Sequence, residues 1–177
     1  MHLRPVELAD VPMLVRHRVR HSKENGKDGD PIFRPFETDY VAQESDQRQF
    51  TELLQKPVTE PGWLRSWIVT DEEEVYGELA LVNQPALATA LHRCLLMMGL
   101  ERSIRRQGWG SKLISEAISW ARERPSLDWI SLNVFENNLP AKALYTKFGF
   151  RAVGTTRDLF RVYGKSIDDT HMVLRLR

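Results

Sequence analysis

Cys94-Leu95-Leu96-Met97-Met98-Gly99-Leu100 runs directly into Glu101-Arg102-Ser103-Ile104-Arg105-Arg106-Gln107-Gly108-Trp109-Gly110-Ser111-Lys112, so a nearly unbroken apolar run meets a basic turn that carries two glycines. The run has the length of a strand and no polar alternation, which predicts a strand covered on both faces. Beyond the turn, Leu113, Ile114, Ala117, Ile118 and Ala121 recur at helical spacing, so a helix is expected from about Gly110. At the corner between them, Gly108 and Gly110 permit backbone conformations that gather several amide N–H groups around one point. The helix start adds its own unpaired amides and the positive end of its dipole. Arg102, Arg105, Arg106 and Lys112 are expected to surround that point, opposed only by Glu101. Such a corner suits a phosphate or pyrophosphate, although an ordinary basic helix start would show the same residues. A P-loop is excluded because Gly110-Ser111-Lys112 has the wrong order, and a dinucleotide fingerprint because position 113 is Leu.

Upstream, 67–70 and 75–82 read as strands joined by the acidic loop 71–74. Helices are expected from Asp10, with Val11, Leu14, Val15 and Val19 on one face, and over 45–55, with Phe50, Leu53 and Leu54. Residues 2–6 suit an edge strand, and 25–31 a flexible turn-rich loop. His17 and His21 stand one helical turn apart, but the interleaved Arg16, Arg18 and Arg20 point to a solvated basic helix rather than a metal pair. Downstream, Ile130, Leu132 and Val134 alternate with Ser131 and Asn133 as in a central strand, and Ala141, Leu144 and Phe148 mark a short helix. Strands over 155–162 and 170–176, turning at 164–166, complete an α/β (α+β) arrangement around a mixed sheet.

The chain has 177 residues, 42% apolar and 28% charged, which fits one globular domain, 1–177. Lys plus Arg number 25 against 24 Asp plus Glu, a net charge of +1 that gives no field for nucleic acid or an anionic membrane. A single cysteine, Cys94, excludes an internal disulfide and a multi-cysteine metal site, so no metal is expected. The opening MHLRPVELAD has no apolar signal core, and a cytoplasmic location is expected.

About thirty residues after the corner stands Asn137-Asn138-Leu139-Pro140-Ala141-Lys142-Ala143-Leu144-Tyr145-Thr146-Lys147-Phe148-Gly149-Phe150. Asn138 suits a helix cap, Pro140 the first turn and Gly149 the C-terminus. Tyr145, next to the core position Leu144, is expected at the apolar boundary with its hydroxyl toward a polar partner. Taken together, Arg105-x-x-Gly108-x-Gly110 and Asn138-x-x-Ala141-x-x-Leu144-Tyr145-x-Lys147-x-Gly149-Phe150 resemble the GNAT superfamily of acyl-CoA-dependent N-acyltransferases.

The resemblance implies a mixed, mostly antiparallel twisted sheet of six to seven strands flanked by helices, with acetyl-CoA as cosubstrate and an amine as acceptor. It implies that backbone amides of Arg105, Arg106, Gln107, Gly108, Trp109, Gly110 and Ser111 wrap the coenzyme A pyrophosphate. Met98, Gly99 and Leu100 match the strand end that pairs with the pantetheine arm. Asn138, Ala141 and Lys142 match the facing helix, Asn133 a polar contact at the splayed strands, and Tyr145 the general acid beside the sulfur. A homodimer follows by the same analogy. Many family members carry a carboxylate in the strand before the loop, yet residues 94–100 contain none. Glu78 or Glu101 could relay a proton instead, against a plain reading of each as a solvated surface acid. The base matters because only on the order of one amine in a thousand is neutral at pH 7. A coenzyme A-binding module without turnover is the alternative. In that family the acceptor is met mainly by the first helices and the late strands, which implies Arg16 to Gln55 and the Asp158–Asp168 hairpin here, and the sequence does not identify it.

Overall fold

The computed structural model describes residues 1–177. Along the chain come β1 (His2–Pro5), α1 (Val11–Ser22), α2 (Glu44–Gln55), β2 (Leu64–Thr70), β3 (Val75–Val82), β4 (Arg93–Leu100), α3 (Trp109–Arg122), β5 (Trp129–Phe135), α4 (Leu139–Lys147), β6 (Arg151–Val162) and β7 (Lys165–Arg175). The strands form one seven-stranded sheet in the order β1-β2-β3-β4-β5-β7-β6. Only β4 and β5 run parallel; every other neighbouring pair is antiparallel.

Local chemistry sets the helix ends. The Asn138 side chain accepts the Ala141 amide at 3.3 Å, Pro140 occupies the first turn of α4, and Gly149 ends it with φ 89°. At α2 the carboxylate of Asp46 accepts the Gln43 amide, half of a capping box. In α3 the periodic residues Leu113, Ile114, Ala117, Ile118 and Ala121 are all buried, while Ser115, Glu116 and Ser119 face solvent.

Strand alternation sorts the sheet residues onto two faces. Trp67, Val69, Leu79, Leu81, Cys94, Leu96, Ile130 and Leu132 pack with the α3 stripe and Tyr145 into the main core. On the other face Leu64 and Ile68 pack against Leu14 of α1 and Phe50 of α2.

Three sequence expectations need correction. The strand over 94–100 is not covered on both faces, because Met97 is 46% exposed where the α1–α2 layer leaves a cavity. The last turn is tighter than 164–166. Tyr163 and Gly164, with φ 52° and 69°, make a two-residue hairpin loop, so β7 starts at Lys165. The loop over 25–31 is held by Asn25, whose buried side chain accepts the amides of Phe33 and Arg34 and donates to the carbonyls of Arg34 and Phe36.

Leu113 is fully buried beneath α3. Leu113→Ala should therefore lower unfolding free energy by about 2–5 kcal/mol. In urea titration this appears as a lower midpoint with an unchanged slope.

Candidate active site at the parting of two strands

Arg93–Leu95 of β4 pair with Trp129–Ser131 of β5, and there the pairing stops. Beyond it β4 follows β3 to Leu100, while β5 follows β7 to Phe135. The Glu101 amide donates to the Tyr76 carbonyl on the β3 side at 2.9 Å. Since amides alternate along a strand, those of Met98 and Leu100 point the other way, into the opening. The intervening Gly99 has its missing side chain replaced by α1, since a Cβ there would lie 2.8 Å from His21 Cε1.

At the end of β4 the chain makes a 3-10 turn over Arg102–Ile104 and then turns again through Arg106 and Gly108, with φ 61° and 85°. None of the amides of residues 106–111 donates to a group of the chain. The first amide to do so is that of Lys112, which bonds the Gly108 carbonyl at 3.1 Å. A Cβ on Gly108 would meet nothing within 4 Å, so the turn borders open space beside the α3 N-terminus, where free amides suit an anion. Gly110 does a different job, because its Cβ would press Leu144 Cδ2 at 3.0 Å and Leu100 Cδ1 at 3.3 Å. It lets α3, α4 and the end of β4 meet closely. Ser111 is half-buried in the first turn of α3, Gln107 donates to the Ser103 carbonyl at 2.8 Å, and Trp109 lies under Lys112 Nζ at 4.1 Å.

Two of the four cations expected around the corner are turned away from it. Arg102 binds Asp28 at 3.0 Å and Asp30 at 2.8 Å. Arg105 pairs with Glu24 and with Asp30 at 2.7 Å, and its Nε donates to the Leu100 carbonyl at 2.8 Å. The acids of the loop after α1 outcompete the distant corner. Arg106 and Lys112 stay exposed beside it.

Tyr145 is the buried residue of its pair and Leu144 the half-buried one, the reverse of the sequence expectation. The Tyr145 ring packs edge-on against Phe150, centroids 5.8 Å apart, and its hydroxyl has no hydrogen-bond partner within the chain. Burial pushes the phenol from 10.0 up to about 12. On the same helix Ala141 is half-buried, Asn138 is spent on the cap, and Lys142 Nζ is held by both Glu136 oxygens at 2.7 Å.

Across the sheet lies a cavity of about 440 Å³, bordered by Met97 of β4, Arg18 and His21 of α1, Asp46 of α2, and Arg34 and Tyr40 from the connecting loop. Glu78 and Glu101 do not line this cavity, and both are buried, contrary to a solvated reading. Glu78, opposite Gly99 in the register, takes a two-pronged bond from Arg18 at 2.8 and 3.0 Å and another from Ser66 Oγ at 3.2 Å. Glu101 is bonded to His17 Nδ1 at 2.9 Å and Arg20 Nε at 3.0 Å. Nor is α1 a solvated basic helix, because His17 is buried and His21 stacks on Phe33 with centroids 4.5 Å apart. Burial first, then the charges of His17, Arg105 and Arg34, push His21 down to about 3. Asn133 donates to Asp169 Oδ2 at 2.5 Å and its Oδ1 lies 3.0 Å from His171 Nδ1. No group of three or more His, Cys, Asp or Glu side chains forms a metal-binding cluster, and no helix is long and apolar enough to cross a membrane. A separate cavity of about 530 Å³ lies between α3 and Phe148, away from the strand opening.

Sequence reasoning missed Arg34, Tyr40, Asp46 and Asp169. Arg34 and Tyr40 lie in the loop between α1 and α2, Asp46 in the first turn of α2 and Asp169 on β7, and no motif links them.

The model of the Acetyltransferase (GNAT) family matches residues 30–150. A search of curated proteins finds no match. Among solved structures, an acetyltransferase of the GNAT family from Streptococcus pneumoniae is 21% identical, with TM-score 0.81 and 98% of each chain covered. A putative acetyltransferase from Salmonella typhimurium, solved with its cofactor acetyl-CoA, is 15% identical with TM-score 0.81, covering 100% of this chain and 94% of that one. Ribosomal-protein-alanine N-acetyltransferase from Brucella melitensis is 18% identical with TM-score 0.79 and 99% of each chain covered. These likenesses are of fold.

The corner should bind inorganic pyrophosphate. Gly108→Val, which places a branched residue at φ 85°, should weaken that binding roughly tenfold or more by calorimetry. For Tyr145, absorbance titration of wild type minus Tyr145→Phe should show no tyrosinate at pH 10, with ionisation centred near the value of about 12. The folded state keeps this proton where the unfolded chain releases it. Stability from the neutral phenol is therefore present below pH 10.0 and lost as pH rises through about 12.

Proposed function

The chain belongs to the GNAT acetyltransferase family, and from that premise we propose that it transfers the acetyl group of acetyl-CoA to a primary amine by direct attack in a ternary complex. The observation that carries this reading is the row of amides over residues 106–111 with no acceptor in the chain, beside the open side of Gly108. Those donors fit the diphosphate of the coenzyme, and the gap-facing amides of Met98 and Leu100 fit its extended arm. Arg105 supports the corner through Leu100 rather than by facing the phosphates. When bound, acetyl-CoA supplies the thioester carbonyl that the amine attacks.

The chain's own groups then divide the work. Tyr145, fully protonated at neutral pH, is the proton donor for the departing sulfur, a role worth about 10²–10⁴-fold when the donor is positioned. The gap-facing amide of Leu100 offers a hydrogen bond to negative charge developing on oxygen. Glu78, opposite Gly99, is the acid placed to relay the amine's proton through water. One observation favours a second reading, a coenzyme A-binding module without turnover: Glu78 and Glu101 are both tied to arginines.

The reading treats 1–177 as a single cytoplasmic domain. It includes a homodimer, supported by the edge strand β6, which is exposed from Arg151 to Leu159 and carries Val153 and Leu159 outward.

Thiol release from acetyl-CoA across a panel of primary amines tests the activity. Release with at least one amine is expected, and coenzyme binding with no release would establish the module instead. Tyr145→Phe should cut kcat about 10²–10⁴-fold with little change in coenzyme affinity, and unchanged turnover would remove the general-acid role.

A further inference from the structure

The cavity beside Met97 holds ionised side chains whose partners can be traced one by one. Arg18 is neutralised by the two-pronged bond to Glu78. Asp46 receives the Tyr40 hydroxyl at 2.6 Å and the Gln43 amide at 3.3 Å. Arg34 is different. Its Nη1 is buried and has no hydrogen-bond partner in the chain, and the feature it covers is the ring of Phe36, 5.3 Å away. The nearest carboxylate acting on it, Asp39, is already paired with Lys27 at 3.4 Å.

Arg34 is also held in place. Its amide donates to Asn25 Oδ1 at 3.0 Å and its carbonyl accepts from Asn25 Nδ2 at 3.2 Å. The cavity is therefore lined by a half-buried guanidinium on a fixed backbone, and none of its nitrogens makes a hydrogen bond in the chain. A carboxylate or related oxyanion fits the planar fork of an arginine. A guanidinium with no paired acid also disfavours a polycation.

We propose that the acceptor is a small primary amine that also bears an oxyanion, carboxylate or phosphonate, and that Arg34 selects it by pairing with that group in the cavity. The inference rests on the acetyl-transfer reading for its amine, but Arg34 can be tested by binding alone.

The experiment compares amino carboxylates and amino phosphonates with their uncharged carboxamide counterparts and with spermidine. The acids should exceed the carboxamides by roughly tenfold or more in kcat/KM, with spermidine poorest. Arg34→Met should bring the acid-to-amide ratio close to one, and Arg34→Lys should restore part of it. Circular dichroism confirms folding of the variants, which is expected because the Arg34 side chain makes no hydrogen bond in the chain. In parallel, propionate and methylphosphonate, which carry no amine, added without acetyl-CoA, should raise the Tm of wild type but not of Arg34→Met. Equal rates for acids and carboxamides, an unchanged ratio in Arg34→Met, or an equal thermal shift in both proteins would overturn the proposal. Absence of thiol release with every amine would instead defeat the transfer reading, and the thermal shift would still decide the oxyanion site.

Discussion

The functional architecture depends on the early parting of β4 and β5. A parallel pair that continued past Leu95 and Ser131 would consume the main-chain donors of both strands. Because each strand instead stays with its antiparallel neighbour, the sheet keeps its hydrogen bonding on the outer sides and leaves one edge of β4 free in the middle of the molecule. The same strand then delivers the chain to the corner where amides 106–111 are also left over. Unsatisfied backbone is costly in a fold, and here the gap-facing side of β4 and the amides of residues 106–111 both follow from one strand leaving its parallel neighbour.

Charge holds the layers around that path. Glu101 at the end of β4 is bonded to His17 and Arg20, Glu78 on β3 to Arg18, and Arg102 and Arg105 to Glu24, Asp28 and Asp30. These pairs fasten α1 and the following loop to the strands and the corner. Removing one member of a buried pair leaves an uncompensated charge, so the pairs act on geometry more than on net stability.

The helix boundaries and the order of elements along the chain were legible because they rest on local chemistry: the stripe of Leu113, Ile114 and Ala117, the cap at Asn138, the glycines at the corner. The amide cradle followed from the same local signals. The burial of Glu78, Glu101 and His17 was not legible, since each residue looks polar and surface-bound until a partner from another element is brought to it. Arg34 carried no motif of its own, only its place within the stretch 16–55 that the resemblance assigns to the acceptor. Its meaning lies in what surrounds it, including the absence of a free acid within reach. Lys142 shows the opposite case, a matching motif position whose ammonium is occupied by Glu136.

Gly99 and His21 share a single volume. The imidazole occupies the space that a side chain on the strand would otherwise fill, so the separation between α1 and the sheet is set by the sum of two residues rather than by either one. A bulkier residue at 99 is compatible with this fold only if position 21 shrinks in exchange. Such a trade would redraw the breadth of the cavity beside Met97 while the turn at residues 106–111, built from main chain, kept its shape.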